Sequence, residues 1–234
     1  MPDVLIAIQA RSGSKRLPGK SLRMLDDKIM VGHVFQTAQY ASSYINRATG
    51  NTNITARVAI LIPQDDPLKE HFDAKDVIEG PEDDVLGRYL MALDEYNPDY
   101  IVRITGDCPL IIPTIITKHI TSAVGLSLDY CSNAYEDLRT FVDGYDVEVI
   151  SAKAMRWLGD NVRIDADAEH VTTLLRREPP RWAKFGVVMG HIDLSDIKLS
   201  VDTIEDFLEV ERKKQSLDQK GQLAKDRGYA VFRF

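Results

Sequence analysis

The stretch Val4-Leu5-Ile6-Ala7-Ile8-Gln9-Ala10-Arg11-Ser12-Gly13-Ser14-Lys15-Arg16-Leu17-Pro18-Gly19-Lys20 decides the fold. Residues 4–9 are almost continuously apolar, which predicts a strand covered on both faces. The loop that follows leaves the C-terminal end of that strand, where open α/β sheets place their ligands. Gly13 and Gly19 permit close backbone approach, and free N–H groups in such a loop form an anion-binding nest. Arg11, Arg16 and Lys20 add positive charge on the scale of one triphosphate. The loop is neither a Walker A loop nor a dinucleotide-binding Gly-x-Gly-x-x-Gly turn.

The rest of the composition makes that loop stand out. The chain has 234 residues, with 29 Lys and Arg against 36 Asp and Glu and a formal charge of −7. Such an acidic chain does not coat nucleic acid or an anionic membrane by bulk charge. Yet no acid occurs between Asp3 and Asp26, where Arg11, Lys15, Arg16, Lys20 and Arg23 all fall. With 44% hydrophobic and 28% charged residues the chain reads as globular, and neither disorder nor a coiled coil is expected. Cys108 and Cys131 are the only cysteines, too few for a disulfide framework and at no zinc spacing. With no signal or membrane-spanning pattern, a cytoplasmic location is expected.

Residues 30–42 carry apolar side chains at helical spacing, and residues 46–55 form a polar loop. Residues 56–62 read as a second buried strand, 66–74 as a short helix with Pro67 in its first turn, and 77–78 as a short strand. Asp83 reads as the cap of a helix over 84–96. A strand over 100–104 runs into Thr105, Gly106 and Asp107, and Pro113 opens a helix to about Val124. This alternation predicts a mostly parallel sheet flanked by helices. Further on, 129–133 and 145–150 read as extended, with an Asp143-Gly144 turn between them. Helices are expected near 152–158, 166–177 and 204–217, and strands at 185–189, 198–201 and 229–234. A single α/β domain over 1–234, with an irregular excursion around 129–200, is the simplest account.

Asp107 and Asp202 each follow an expected strand. If both strands lie in one parallel sheet, both carboxylates emerge on the edge that carries the basic loop. Two carboxylates opposite a phosphate loop suit Mg2+, which is held by one or two carboxylates and substrate phosphates.

Beyond the loop, Glu82-Asp83-Asp84-Val85-Leu86-Gly87-Arg88-Tyr89, Val102-Arg103-Ile104-Thr105-Gly106-Asp107-Cys108-Pro109-Leu110 and Tyr130-Cys131-Ser132-Asn133 stand out. So do Asp143-Gly144-Tyr145-Asp146-Val147-Glu148-Val149, Glu169-His170-Val171-Thr172 and Ser200-Val201-Asp202-Thr203. Together these segments resemble the acylneuraminate cytidylyltransferase family, and more specifically its spore-coat-polysaccharide branch. The sequence departs from the family at Ile62-Pro63-Gln64-Asp65-Asp66 and in the longer 46–55 loop.

The resemblance implies a glycosyltransferase-A-like, Rossmann-like nucleotidyltransferase fold that transfers CMP from CTP to a sugar or sugar acid and releases pyrophosphate. It implies a nucleotide site made of Gln9, Ala10, Arg11, Ser12, Gly13, Ser14, Arg16, Lys20, Gly80, Asp84 and Arg88, with 80–88 near the base and ribose. Arg11, Lys20 and Asp107 are expected to serve catalysis, with Asp107 and Asp202 as Mg2+ ligands. Asn133, Asp146, Glu148 and His170 are expected on the acceptor side. A homodimer is expected as well, with 145–150 as a possible exchanged arm. The alternatives are a metal-dependent glycosyltransferase using a nucleotide-sugar and a non-catalytic nucleotide-binding regulator. The first usually carries Asp-x-Asp where this chain has Thr-Gly-Asp-Cys, and the joint presence of Lys20, Asp107 and Asp202 argues against the second.

Overall fold

The computed structural model describes residues 1–48 and 53–225. Strand β1 (Asp3–Gln9) is buried along both faces. It pairs in parallel with β4 (Thr55–Pro63) on one side and β6 (Tyr100–Thr105) on the other. Beyond β4 lies β5 (Val77–Gly80), also parallel. A separate ribbon, β2 (Met24–Leu25) with β3 (Lys28–Ile29), closes the segment after the basic loop.

The sheet order is β5-β4-β1-β6-β8-β7-β9. Here β7 is Tyr130–Ser132, β8 Glu148–Ser151 and β9 Phe185–Val187. Strand β8 is antiparallel to β6 and β7, whereas β9 is parallel to β7. Chain direction away from β1 reverses between β4 and β6, so the end of β1 is a topological switch point, where ligands bind in open α/β sheets.

Alternation of side chains in β1 divides the core. Val4, Ile6 and Ile8 face α1 (Met30–Arg47) and α3 (Pro113–Gly125). Leu5 and Ala7 face α2 (Val85–Tyr96), α4 (Ala152–Asn161) and α6 (Thr173–Arg177). Between α4 and α6 lies the short α5 (Asp165–His170). A third cluster joins Leu17 of the basic loop to Leu25, Met30, Val201 and to Phe207 and Val210 of α7 (Ile204–Lys225). Burying one leucine is worth about 1.5–3 kcal/mol, so Leu17 fixes the loop as a hydrophobic pin.

Several expectations change. Asp84, not Asp83, caps α2, its carboxylate accepting from the Gly87 N–H. The expected 66–74 helix is a shorter 3-10 turn, Pro67–His71, capped by Asp66. The helix expected over 166–177 is broken at Val171, whose φ is 58°. Residues 198–201 form no strand of the sheet; they make one isolated bridge, Asp143 to Lys198, and a backbone bond from Val201 N–H to Asp107 O. Segment 145–150 is no free arm, because β8 is paired on both sides and Tyr145 and Val147 are buried. The strand expected at 229–234 lies outside the described residues, as does the tip of the 46–55 loop. Among the described residues no helix is long and apolar enough to cross a membrane.

Candidate active site

The C-terminal ends of β1, β4, β5 and β6 lie along one edge, and the loop after β1 crosses it. The ladder continues past the strands: Ala10 N–H donates to Leu61 O (3.0 Å) and Gly106 N–H to Gln9 O (2.9 Å). A Cβ at Gly106 would come within 2.9 Å of the Ala10 Cβ, so only glycine lets Asp107 sit this close to the loop.

The loop is held from inside. Asp66 is buried, and one of its carboxylate oxygens accepts from the Ser12 N–H (2.8 Å) and hydroxyl (3.0 Å). Its other oxygen accepts from the Leu68 N–H (3.0 Å). The Ser14 hydroxyl accepts from the Leu17 N–H, and the Ser21 hydroxyl donates to Arg11 O. Asp66, expected as the first residue of a short helix, is the cap of the 3-10 turn; its grip on Ser12, 54 positions earlier, carries no local signal.

Lys20 is the focus. Its Nζ lies 3.0 Å from Asp107 Oδ2, 3.6 Å from Asp202 Oδ1, and 2.8 Å from Val201 O, to which it donates. Arg16 lies 2.7 Å from Asp202 Oδ1, and Lys198 lies 3.5 Å from Asp202 Oδ2. Asp202 reaches this position without the expected strand. Gly144, at φ 108°, lets 143–144 pack on 199–200, Leu199 N–H donates to Asp143 O, and Val201 N–H donates to Asp107 O. Thr203 and Asp206 cap α7 reciprocally, so Asp202 is not consumed as its cap. Burial works to raise the Asp107 carboxyl, but Lys20 and the Thr105 hydroxyl outweigh it, holding it below the usual carboxylate range. Burial and the Asp107 charge push the Cys108 thiol well up, so it is no nucleophile at neutral pH.

The other expected nucleotide residues divide. Gly13 lies beside Glu82, whose Oε1 would be 3.3 Å from an added Cβ, so segment 80–88 borders the loop. Gly80 packs directly under Arg88 and Met91. Arg88 itself is buried and donates to Pro81 O (2.5 Å) and Glu82 O (3.1 Å), so it shapes the turn that borders the loop. Gln9 turns inward, accepting from Arg103 Nε (2.9 Å) and the Tyr89 hydroxyl (3.3 Å). Arg11 is half-exposed and lies 3.7 Å from Glu169.

The acceptor-side expectations fare differently. Asn133 is fully buried and clamps the backbone of 145–147, donating to Tyr145 O and accepting from Val147 N–H. Glu148 is buried and accepts from Arg103, Tyr130 and the Thr172 hydroxyl, the last at 2.6 Å. Burial alone would raise its carboxyl, yet Arg103 and the two hydroxyls hold it low. Neither residue is presented to a ligand. Asp146 pairs with Arg139 (2.9 Å), and burial raises its carboxyl. His170 is exposed at the end of α5. Asp66, Arg103, Thr172 and Lys198 were not anticipated as part of the site.

A basic loop at a switch point, closed by two carboxylates that share a lysine, defines an α/β protein built for a phosphorylated nucleotide. The chain belongs to the cytidylyltransferase family, whose model matches residues 5–182. It is 31% identical over 218 residues to the spore coat polysaccharide biosynthesis protein SpsF of Bacillus subtilis, covering 88% of this chain and 84% of that protein. It is 32% identical over 124 residues to an 8-amino-3,8-dideoxy-manno-octulosonate cytidylyltransferase of Shewanella sp., covering 50% of this chain and 46% of that one. The solved structure of a cytidylyltransferase from Leptospira borgpetersenii superposes with a TM-score of 0.80 at 26% identity, over 98% of this chain and 99% of that one.

Proposed function

We propose that this nucleotidyltransferase moves CMP from CTP to a hydroxyl of a sugar or sugar acid, releases pyrophosphate, and serves surface-polysaccharide synthesis. The observation that carries the reading is the convergence of Lys20 on Asp107, Asp202 and Val201 O at the mouth of the phosphate loop. The acceptor class follows the spore-coat relative and the octulosonate cytidylyltransferase.

In this reading the acceptor oxygen attacks the α-phosphorus and pyrophosphate leaves opposite. The backbone at Gly13 meets the phosphates, with the Ser12 N–H held by Asp66 and the Ser14 N–H by Ser12 O so that the loop keeps its shape. Lys20, Arg16 and Arg11 turn from their present carboxylate partners to the incoming phosphates and stabilise charge on the reacting and leaving groups.

The donor set also fits a divalent cation. Asp107 and Asp202 face one another across a single ammonium group. Among the described residues no set of three or more His, Cys, Asp or Glu encloses a metal, so substrate phosphate oxygens would complete the shell. Mg2+ held by Asp107 and Asp202 would supply Lewis-acid neutralisation of those oxygens. We further propose that 1–234 act as one catalytic domain in a cytoplasmic homodimer.

The test is pyrophosphate release with each of four nucleoside triphosphates against a panel of sugars and sugar acids, with and without Mg2+. Release with CTP and a sugar acid, dependent on the cation, is expected. Release with UTP or ATP but never with CTP overturns the reading.

A further inference from the structure

Thr172, which bonds Glu148, follows Val171, the one positive-φ non-glycine residue of 129–200 among the described residues. Val171 has φ 58° and ψ −64°, a conformation that a β-branched residue adopts only when its surroundings impose it. The Thr172 N–H donates to His170 O at 2.6 Å, closing a γ-turn around Val171. The Val171 side chain is buried in the core with Leu175 and Tyr130. The Thr172 hydroxyl, fully buried, donates to Glu148 Oε1.

This turn sits in a circuit that starts and ends at the phosphate loop. Gln9, at the root of the loop, accepts from Arg103, and Arg103 donates to Glu148. Glu148 holds Thr172, and across the turn Glu169 lies 3.7 Å from Arg11 in the same loop. The short helix α5, which carries Glu169 and exposed His170, is therefore tied to the sheet through Thr172. Helix α5 is also held by Arg177, 2.9 Å from Asp167, and by packing on α2 with Ala168 against the core, whereas Thr172 supplies its hydrogen-bonded link to the sheet.

We propose that Thr172, through its hydroxyl bond to the buried Glu148 carboxylate, is a positioning residue that fixes the acceptor-side wall of the site. It pins the turn at Val171 and so sets where α5 presents Glu169 and His170 beside the phosphate loop. Glu148 acts from inside the core and touches no substrate. The kinetic part of this inference rests on the CMP-transfer reading; the placement of α5 does not.

The variants are Thr172→Val, which keeps the shape and removes the hydroxyl, and Thr172→Ser, which keeps the hydroxyl. In the Val variant the KM for the acceptor is expected to rise about tenfold or more, the scale of losing a hydrogen bond to a charged group. The KM for CTP is expected to stay near wild type while the Tm falls by a few degrees, and the Ser variant to restore both the acceptor KM and the Tm. An unchanged acceptor KM, or an equal rise for CTP, overturns the proposal. Amide hydrogen exchange supplies the second readout. Residues 165–171 should exchange faster in the Val variant while β8 stays protected; unchanged exchange at 165–171 overturns the proposal even if no acceptor is found. Wild-type protein inactive with every acceptor, but with the expected exchange change, would sink the CMP-transfer reading and leave the positioning role standing.

Discussion

The two halves of the sheet treat charge in opposite ways. Around β1 and β6 the charged groups stand at the sheet edge: Lys20, Arg16 and Lys198 meet Asp107 and Asp202 where a ligand can displace the pairing. Within the sheet, where β6 meets β8 and β7, the charge is sealed: Arg103 of β6, Glu148 of β8, Tyr130 of β7 and the Thr172 hydroxyl satisfy one another under the surface. An edge cluster can exchange partners at modest cost, because water and phosphate compensate what is broken. A sealed cluster cannot, because an unpaired ion in the core has nothing to replace its partner. The first arrangement suits chemistry, and the second suits holding a shape.

The sharpest way to break this contrast is Glu148→Ala. It leaves Arg103 buried without its carboxylate and should cost about 3–5 kcal/mol of stability in chemical denaturation. A loss below about 1 kcal/mol would mean the sealed cluster is not structural. Next is pH. His119 is buried where α3 meets Phe141 of the second half; Nδ1 donates to Ile115 O, and Nε2 has no hydrogen-bond partner among the described residues. Burial lowers its pKa from 6.5 to about 4. Between those values the unfolded chain carries the proton and the folded chain does not, so stability falls as pH drops from 6.5 toward 4. The loss is about 3 kcal/mol, and His119→Leu should remove most of it from a pH series of unfolding curves.

At the edge cluster the largest effects appear in rate. Lys20→Ala or Asp107→Ala should lower kcat/KM on the order of 10²-fold, about 2.7 kcal/mol of transition-state stabilisation, with little change in Tm. Near-normal turnover in both folded variants would remove the edge cluster from the chemistry. Smallest is Asp66→Asn, which weakens the grip on Ser12. It should raise the KM for CTP about tenfold and leave the acceptor KM alone, measured by initial rates with one substrate saturating.

How much of this was legible follows the same division. The basic loop follows β1 directly and Asp107 follows β6 by two residues, so periodicity and turn residues display each of them locally. Asp202 was found at the right edge for the wrong reason. No strand carries it there; the Gly144 turn and the bond from Val201 N–H to Asp107 O do. The helix expected over 166–177 failed at Val171, because nothing in a run of helix-compatible residues announces a positive φ that only packing enforces. Asn133 and Glu148 were expected on the acceptor side because the family resemblance implied it, yet both are buried fasteners.

By itself the sequence determined the parallel core, the loop at the end of β1 and the charge of that loop, because these depend on apolar periodicity and short-range spacing. The tertiary structure alone decided which cations meet Asp107 and Asp202, that Asp66 braces Ser12, and that Glu148 faces inward to hold Thr172. Those facts depend on partners brought together by packing from distant parts of the chain. Hydrogen bonds and ion pairs of that range leave no period in a sequence.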